Sequence, residues 1–217
     1  MQFLKTSFNG DRNIGLYGFA TESYCLLGFE PNSVKKISDV LGVKVVPVSI
    51  SETVFAGIFA AGNSNGIIVP KTTEGYEIKR LKELLGVNVQ VIETDHTALG
   101  NLVLCNDNGC IISNLLRKYK KEISDCLGVD VQVGHLAKET IVGSAGRATN
   151  NGCLCHRDSK EIEIKEIENI LKVKADVGTI NFGTPFIKAG IIVNSKGMVV
   201  SEKSTGPELD RAMEVFI

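Results

Sequence analysis

The feature that most constrains this chain is an internal repeat with a period of about 43 residues. Two independent markers keep this period: a helix-end tripeptide and a polar turn that ends in glycine. The helix-end marker occurs at Leu41-Gly42-Val43, Leu85-Gly86-Val87 and Leu127-Gly128-Val129, with the variant Leu171-Lys172-Val173. The turn marker occurs at Ser64-Asn65-Gly66, Asp107-Asn108-Gly109, Asn150-Asn151-Gly152 and Ser195-Lys196-Gly197. Asn-Gly between apolar runs predicts a β-hairpin whose two turn residues take positive φ.

Each repeat has the same predicted parts. A helix with apolar residues at helical spacing is followed by a strand, a second strand, a turn and a short third strand. Glycine after three of the helices is typical of a left-handed C-terminal cap. We therefore predict a single domain of five repeats. Their approximate bounds are 29–70, 71–113, 114–156, 157–201, and 202–217 together with 1–28.

The two chain ends complement each other. Residues 2–28 contain predicted strands with no helix before them, whereas residues 205–217 contain a helix with no strands after it. Thr205-Gly206-Pro207-Glu208 begins that helix as a capping box. An open row of repeats would leave strand edges exposed, and closure would cover them. The sequence therefore predicts an α/β fold: a five-fold pseudosymmetric αβ propeller, its ring closed by the C-terminal helix joining the N-terminal strands.

A glycine is predicted inside the second strand of every repeat. Glycine weakens a strand and often marks a close approach of backbone to another group. One interpretation is steric relief where the five repeats crowd together near the axis. The other is a flat face, poor in side chains, for a binding partner, and the two are compatible. The glycines are Gly15, Gly57, Gly100, Gly143 and Gly190, and the residues after them are Leu16, Ile58, Asn101, Ser144 and Ile191.

Composition and charge limit the function classes. The 217 residues include 24 basic and 25 acidic ones, for a net charge of −1, which argues against free DNA or RNA as the main partner. Basic clusters at 35–36, 79–82 and 117–121 are interpreted mainly as solvated helix faces, with contact to RNA phosphates as the alternative. No apolar run reaches the roughly 18 residues of a membrane span. We expect a soluble, cytoplasmic protein with reduced thiols.

Cysteine and histidine are the residues that most invite a chemical interpretation. Cys153-Leu154-Cys155-His156 offers possible metal ligands, but its spacing is a poor match to a zinc site. Alignment of the repeats instead puts Cys25, Ile67, Cys110, Cys153 and Met198 at one strand position, where cysteine acts as a small hydrophobe. His96, His135 and His156 each lie near a predicted strand end, without an evident nucleophile. We expect no metal, no cofactor and no catalysis.

Several short motifs form a specific combination between about Gly15 and the C-terminus. They are Ala98-Leu99-Gly100-Asn101 with Cys105-Asn106-Asp107, Ile68-Val69-Pro70-Lys71, Val142-Gly143-Ser144, Gly178-Thr179-x-Asn181-x-Gly183, and Asn194-Ser195-Lys196-Gly197 with Thr205-Gly206-Pro207-Glu208-Leu209. Together, though not singly, these motifs resemble the translation initiation factor 6 family in its archaeal form. The resemblance implies the five-fold αβ propeller called the pentein fold.

The resemblance also implies a function. Members of the family bind the large (50S) ribosomal subunit, prevent its association with the small subunit by steric exclusion, and act late in large-subunit maturation. The implied partners are chiefly the ribosomal protein L14 family and the nearby sarcin-ricin loop of the rRNA, contacted by a monomer, with no membrane and no free DNA. The implied ribosome-binding residues are Gly15, Gly57, Gly100, Asn101, Gly143 and Ser144.

Two positions depart from the family pattern. Phe182 stands where a basic residue is common, and Arg157 stands where a proline is common. Contacts of that sector are therefore left open. The alternatives to a ribosome-binding factor are a guanidino-group-modifying hydrolase or transferase on the same fold, which would attack its substrate with a cysteine, a histidine and carboxylates, and a plain structural interaction module.

Overall fold

The computed structural model describes residues 2–216, which contain eight α-helices, three 3₁₀ helices and fifteen strands. The α-helices are α1 Val34–Leu41, α2 Ala56–Phe59, α3 Gly75–Leu85, α4 Leu99–Leu102, α5 Lys120–Leu127, α6 Val142–Ala145, α7 Glu161–Leu171 and α8 Gly206–Phe216. The 3₁₀ helices are Ile14–Leu16, Asn114–Tyr119 and Ile187–Gly190. No helix in the described residues is long and apolar enough to cross a membrane.

The strands form five separate three-stranded sheets with one shared plan. An antiparallel hairpin comes first, a long helix follows, and the next strand pairs in parallel with the second strand of that hairpin. The strands are β1 Gln2–Thr6, β2 Gly18–Ala20, β3 Tyr24–Leu27, β4 Lys44–Pro47, β5 Ala61–Gly62, β6 Gly66–Pro70, β7 Asn88–Ile92, β8 Val103–Cys105, β9 Cys110–Ile112, β10 Val131–Val133, β11 Gly146–Ala148, β12 Gly152–His156, β13 Lys174–Gly178, β14 Ile191–Val193 and β15 Gly197–Ser201.

The fifth sheet is built from both chain ends. β14 and β15 form its hairpin, and β1 pairs in parallel with β15 from Gln2↔Gly197 to Thr6↔Ser201. In the first unit, α1 follows the hairpin strand β3 and precedes the parallel strand β4. In the fifth unit, α8 follows β15 in the same way, but the parallel strand is β1 at the other end of the chain. Five sheets of one design are consistent with the predicted five-fold pseudosymmetry, and the mixed α/β class is confirmed.

Neighbouring units pack through their helices and strand faces. Each long helix contacts the sheet of the preceding unit: α1 contacts β1 and β15, α5 contacts β6 and β7, and α8 contacts β12 and β13. One apolar cluster shows how the layers meet, because Leu26 of one sheet, Ile67 of the next and Leu81 of α3 are all fully buried in it. The hydrophobic core therefore lies between units as well as within them.

The predicted equivalence of the strand cysteines is confirmed. In each hairpin the last residue of the first strand pairs with the residue of the second strand that the repeat alignment treats as equivalent. The pairs are Ala20↔Cys25, Gly62↔Ile67, Cys105↔Cys110, Ala148↔Cys153 and Val193↔Met198. The predicted helix caps are confirmed too, since Gly42, Gly86 and Gly128 have φ of 60°, 66° and 66°.

The physical reason predicted for the turn glycines is wrong, although the hairpins are present. Positive φ is absent from Asn65-Gly66 and its counterparts among the described residues. Instead, the Asn63 side-chain oxygen accepts hydrogen bonds from the N–H groups of Asn65 and Gly66, at 3.0 and 3.1 Å. A Cβ on Gly66 would lie 2.2 Å from the carbonyl oxygen of Cys126 in α5. The glycine is needed because a neighbouring helix approaches closely.

The placement of the repeat glycines inside a strand is also wrong. Gly15, Gly57, Gly100 and Gly143 each occupy the second position of a short helix that ends just before the strand begins. The fifth short helix begins Ile187-Lys188, so the position equivalent to these glycines is Lys188, and Gly190 is not the fifth member. A helix of three or four residues has no periodic signal to separate it from the apolar strand that follows.

Candidate functional site

The five short helices contact one another in cyclic order: Ile14–Leu16 with α2, α2 with α4, α4 with α6, α6 with Ile187–Gly190, and Ile187–Gly190 with Ile14–Leu16. Their glycines make this packing possible. A Cβ on Gly15 would lie 1.7 Å from the Lys188 carbonyl oxygen, and one on Gly57 would lie 2.1 Å from the Gly15 carbonyl oxygen. Gly100 and Gly143 continue the series, at 2.1 Å from Gly57 and 2.4 Å from Gly100. Steric relief thus explains these four glycines.

Lys188 fills the fifth position with a long side chain. It is 6% exposed, and its amine donates a hydrogen bond to the carbonyl oxygen of Gly100. Burial and, to a smaller extent, the nearby Arg147 guanidinium together lower the pKa of Lys188 to about 7, while the Cys105 thiol acts in the opposite direction.

A shallow depression marks the outer side of the short helices. It is lined by Leu16, Asn101, Ile141, Ser144, Phe186, Lys188 and Ala189. Asn101 and Ser144 are half-buried and supply its polar side chains, whereas the four predicted glycines are buried. A partner reaching this surface would meet Asn101 and Ser144 directly, and the glycines would act by shaping the backbone beneath. The binding role of all six residues stays a prediction.

Loops that precede the short helices form the rest of this surface. Each loop joins the carboxyl end of a parallel strand to a short helix, so the repeat places all five on one side, called here the loop face. Isolated bridges close four of them: Phe8↔Asp11, Ile50↔Thr53, Leu136↔Glu139 and Ile180↔Thr184. Their tips contain non-glycine residues at positive φ, a conformation that persists only when the surroundings enforce it. These residues are Asn9, Ser51, Glu52, Ala137, Lys138, Asn181 and Phe182.

Three buried glutamates hold three of these tips. The Glu208 carboxylate accepts from the backbone N–H of Gly183 at 2.7 Å and of Phe182 at 3.2 Å. It also accepts from the Thr205 N–H at the start of its own helix, at 2.8 Å, which is one of the two hydrogen bonds of the predicted capping box. Glu77 and Glu163 repeat the arrangement, accepting from the N–H groups of Glu52 at 3.1 Å and Lys138 at 3.5 Å. Charge-assisted hydrogen bonds thus keep the loop face rigid.

The third loop, residues 93–97, is anchored differently. None of its residues has a positive φ. Its Glu93 carbonyl oxygen accepts a hydrogen bond from the hydroxyl of Tyr119, which occupies the repeat position that Glu77, Glu163 and Glu208 hold in other units. Asp95 at its tip forms an ion pair with Lys71 at 2.5 Å. This loop leads directly into α4, which carries Asn101. The Asn101 sector is therefore the one that departs most from the repeat.

Thiols and imidazoles do not converge on the loop face. All six cysteines are buried, and burial raises the pKa of Cys25 to about 12 and that of Cys126 to about 11. Buried thiols of this kind are poor nucleophiles. His96 and His135 are exposed in separate loops, while His156 is buried and packs edge-to-face on Phe186 with ring centroids 5.4 Å apart. Within residues 2–216, no group of three or more His, Cys, Asp or Glu side chains is arranged to hold a metal ion.

Sequence reasoning missed Lys188 and the loop-anchoring role of Glu77, Glu163 and Glu208. For the glutamates a signal was present, since each lies three residues after the N-cap of its helix, the position of a capping-box acid. Their second role depends on a loop more than 20 residues away and has no local signature.

Known proteins resemble the chain over its full length. The sequence profile of the eIF-6 family matches residues 3–215. Translation initiation factor 6 of Methanococcus vannielii is 40% identical, covering 98% of this chain and 97% of its own. The Saccharolobus islandicus protein of the same name is 38% identical over 100% and 99%, and that of Methanocaldococcus jannaschii is 37% identical over 95% and 94%. The chain therefore belongs to the eIF-6 family of translation initiation factors.

Proposed function

We propose that this protein binds the large ribosomal subunit through its loop face and thereby prevents the small subunit from joining. The observation that carries the proposal is the full-length family match, which includes Asn101 and its surroundings. Its relatives are named as translation initiation factors. The loop face is the surface on which the chain departs from its own repeat, at Asn101, Ser144 and the third loop.

Rigidity of the loop face supports this role. The buried glutamates fix three loop tips before any partner arrives, so association loses little conformational freedom there. We propose that Asn101 and Ser144 meet a large-subunit protein of the L14 family and that the sarcin-ricin loop of the rRNA lies close by. A specific contact of this kind buries on the order of 1,200 to 2,000 Å² in total.

We further propose that the five units make a closed propeller. The cyclic contacts among the short helices, and β1 pairing with β15, support closure. A closed disc leaves few strand edges to pair with other chains, and it suits a monomer that blocks a site by its bulk. Exclusion of the small subunit then needs no chemical step, and release of the disc would belong to the last stage of large-subunit maturation.

Co-sedimentation tests the proposal most simply. The protein, mixed with purified large or small subunits, is centrifuged through a sucrose cushion at near-physiological salt. We expect it to pellet with large subunits at a ratio approaching one to one and to stay in the supernatant with small subunits. Equal or absent pelleting with both subunits would contradict the proposal.

A further inference from the structure

Charge is distributed unevenly over the outer helices. α7 carries Lys165 against four glutamates, and α8 carries Arg211 against three carboxylates. The segment Asn114–Leu127, which comprises a 3₁₀ helix and α5, instead carries four cations against Glu122 and Asp125. A net charge of −1 therefore conceals a basic sector on one side and an acidic sector on the other.

Three cations of the basic sector have no carboxylate partner among the described residues. Lys121 pairs with Asp125 at 2.6 Å. Arg117 donates only to the Asn114 side chain at 2.8 Å, and Lys118 lies over the Tyr119 ring, 4.6 Å from its centroid. Lys120 reaches only the amide oxygen of Gln132, at 3.5 Å. Arg117, Lys118 and Lys120 are called the basic patch below.

The basic patch lies beside the loop face. Tyr119, in the middle of the patch, donates its hydroxyl hydrogen to the Glu93 carbonyl oxygen of the third loop. The acid at the tip of that loop, Asp95, is already paired with Lys71. The same loop leads into α4 and Asn101. The patch is thus fixed at the outer edge of the sector that departs most from the repeat. Lys118 is close enough to Asp95 and Glu122 to feel their charges, but none of the three cations forms an ion pair with a described carboxylate.

We propose that the basic patch binds backbone phosphates of ribosomal RNA while Asn101 contacts the adjoining protein surface. This inference rests on the proposed binding to the large subunit and assigns the RNA contact to named residues. Arginine and lysine side chains held at one edge suit neighbouring phosphates, and the guanidinium can hold a phosphate with two hydrogen bonds. The acidic α7 and α8 are repelled by RNA, so the uneven charge also orients the protein on the subunit.

Salt dependence of binding separates RNA phosphates from an acidic protein surface. Contact with RNA phosphates releases condensed counterions, so log K falls linearly with log salt concentration, with a slope of about −0.7 to −0.9 per phosphate. The test variant is Arg117→Glu/Lys118→Glu/Lys120→Glu. The matched control is Lys165→Glu/Lys174→Glu/Lys203→Glu, which makes the same change of charge at exposed lysines away from the patch. Affinity of each for purified large subunits is measured from about 50 to 200 mM salt.

We expect the patch variant to lose affinity by about 100-fold or more and its log–log slope to become shallower by about 2 to 3, whereas the control keeps the wild-type slope. Circular dichroism verifies that both variants are folded. A patch variant with the wild-type slope and an affinity within about threefold of wild type would overturn the inference, and so would an equal loss in the control. Failure of the wild-type protein to bind large subunits would instead refute the proposed function, so the two failures are distinguishable.

Discussion

The amine of Lys188 donates a hydrogen bond to the carbonyl oxygen of Gly100, which joins the fifth short helix to the third. Four of the five equivalent positions hold glycine because backbone atoms of the neighbouring short helix leave no room for a Cβ. The fifth holds a lysine whose side chain occupies the remaining space. This asymmetry lies directly beneath Asn101, so the packing of the short helices and the candidate binding surface are physically connected.

Replacement of Lys188 with methionine should remove a pH-dependent part of the stability. Burial lowers the pKa of Lys188 to about 7, so above that pH the folded state binds fewer protons than the unfolded state and stability rises with pH. The free energy of unfolding should rise by up to about 1.4 kcal/mol per pH unit between pH 7.5 and 8.5. Urea unfolding of wild type and Lys188→Met at several pH values measures it. Identical pH slopes for the two proteins would contradict the prediction.

Alanine at Gly57 should destabilise the packing of the short helices. Its Cβ would lie 2.1 Å from the Gly15 carbonyl oxygen, and no flexible side chain can move to relieve that contact. We expect a loss of about 3 kcal/mol in the free energy of unfolding. Gly75→Ala is the control, because nothing lies within 4 Å of its Cβ, and it should change stability by less than about 1 kcal/mol. A loss as small as the control's would show that the short helices can move apart.

Glutamine at Glu208 should loosen the loop that contains Phe182. Burial alone would raise the pKa of Glu208, but hydrogen bonds from Thr205, Gly183, Thr179 and Phe182 outweigh it and lower the pKa. The variant should lose about 2 kcal/mol at pH 7 and exchange the Gly183 amide hydrogen faster. Because the folded-state pKa is lowered, the wild-type advantage should fade as the pH drops below about 4.

Glu161→Gln is the control for the Glu208 variant, since that carboxylate is exposed and pairs only with Lys165. Its stability should stay within about 0.5 kcal/mol of wild type. Unchanged exchange of the Gly183 amide in Glu208→Gln would show that the loop keeps its conformation without the carboxylate.

Arginine at Asn101 should weaken binding to large subunits while leaving the fold intact. Asn101 is half-buried at the edge of the depression, so a longer charged side chain would project into a docked partner. We expect a loss of affinity of about tenfold or more, with stability within about 0.5 kcal/mol of wild type. Asn169→Arg makes the same change at an exposed position on α7 and should bind normally. Unaltered affinity of Asn101→Arg would remove Asn101 from the interface.

Features with strong local signals were predictable from sequence. The helix-end glycines predicted left-handed caps because glycine adopts φ near 60° without a steric penalty. The repeat period predicted five similar units, and the five sheets of one design are consistent with that prediction. That the C-terminal helix completes a unit with the N-terminal strands stays a prediction. Alignment of the repeats predicted that Cys25, Cys110 and Cys153 share one buried strand position.

Features set by tertiary contacts were not predictable. Gly66 looks like a turn glycine, but its requirement comes from Cys126 in a different unit. Gly190 is the glycine that the repeat pattern indicates, but the short helix begins at Ile187, which puts Lys188 at the equivalent position. The anchoring of Phe182 by Glu208 joins residues 26 apart along the chain, so no local pattern reports it.

Subunit joining tests the central claim most directly. Large subunits are incubated with the protein, small subunits are added at a magnesium concentration that supports association, and joined ribosomes are quantified on a sucrose gradient. We expect joined ribosomes to decrease in proportion to the large subunits that the protein occupies, and Asn101→Arg at the same concentration to have little effect. An undiminished fraction of joined ribosomes, with the protein bound to their large subunits, would contradict the central claim.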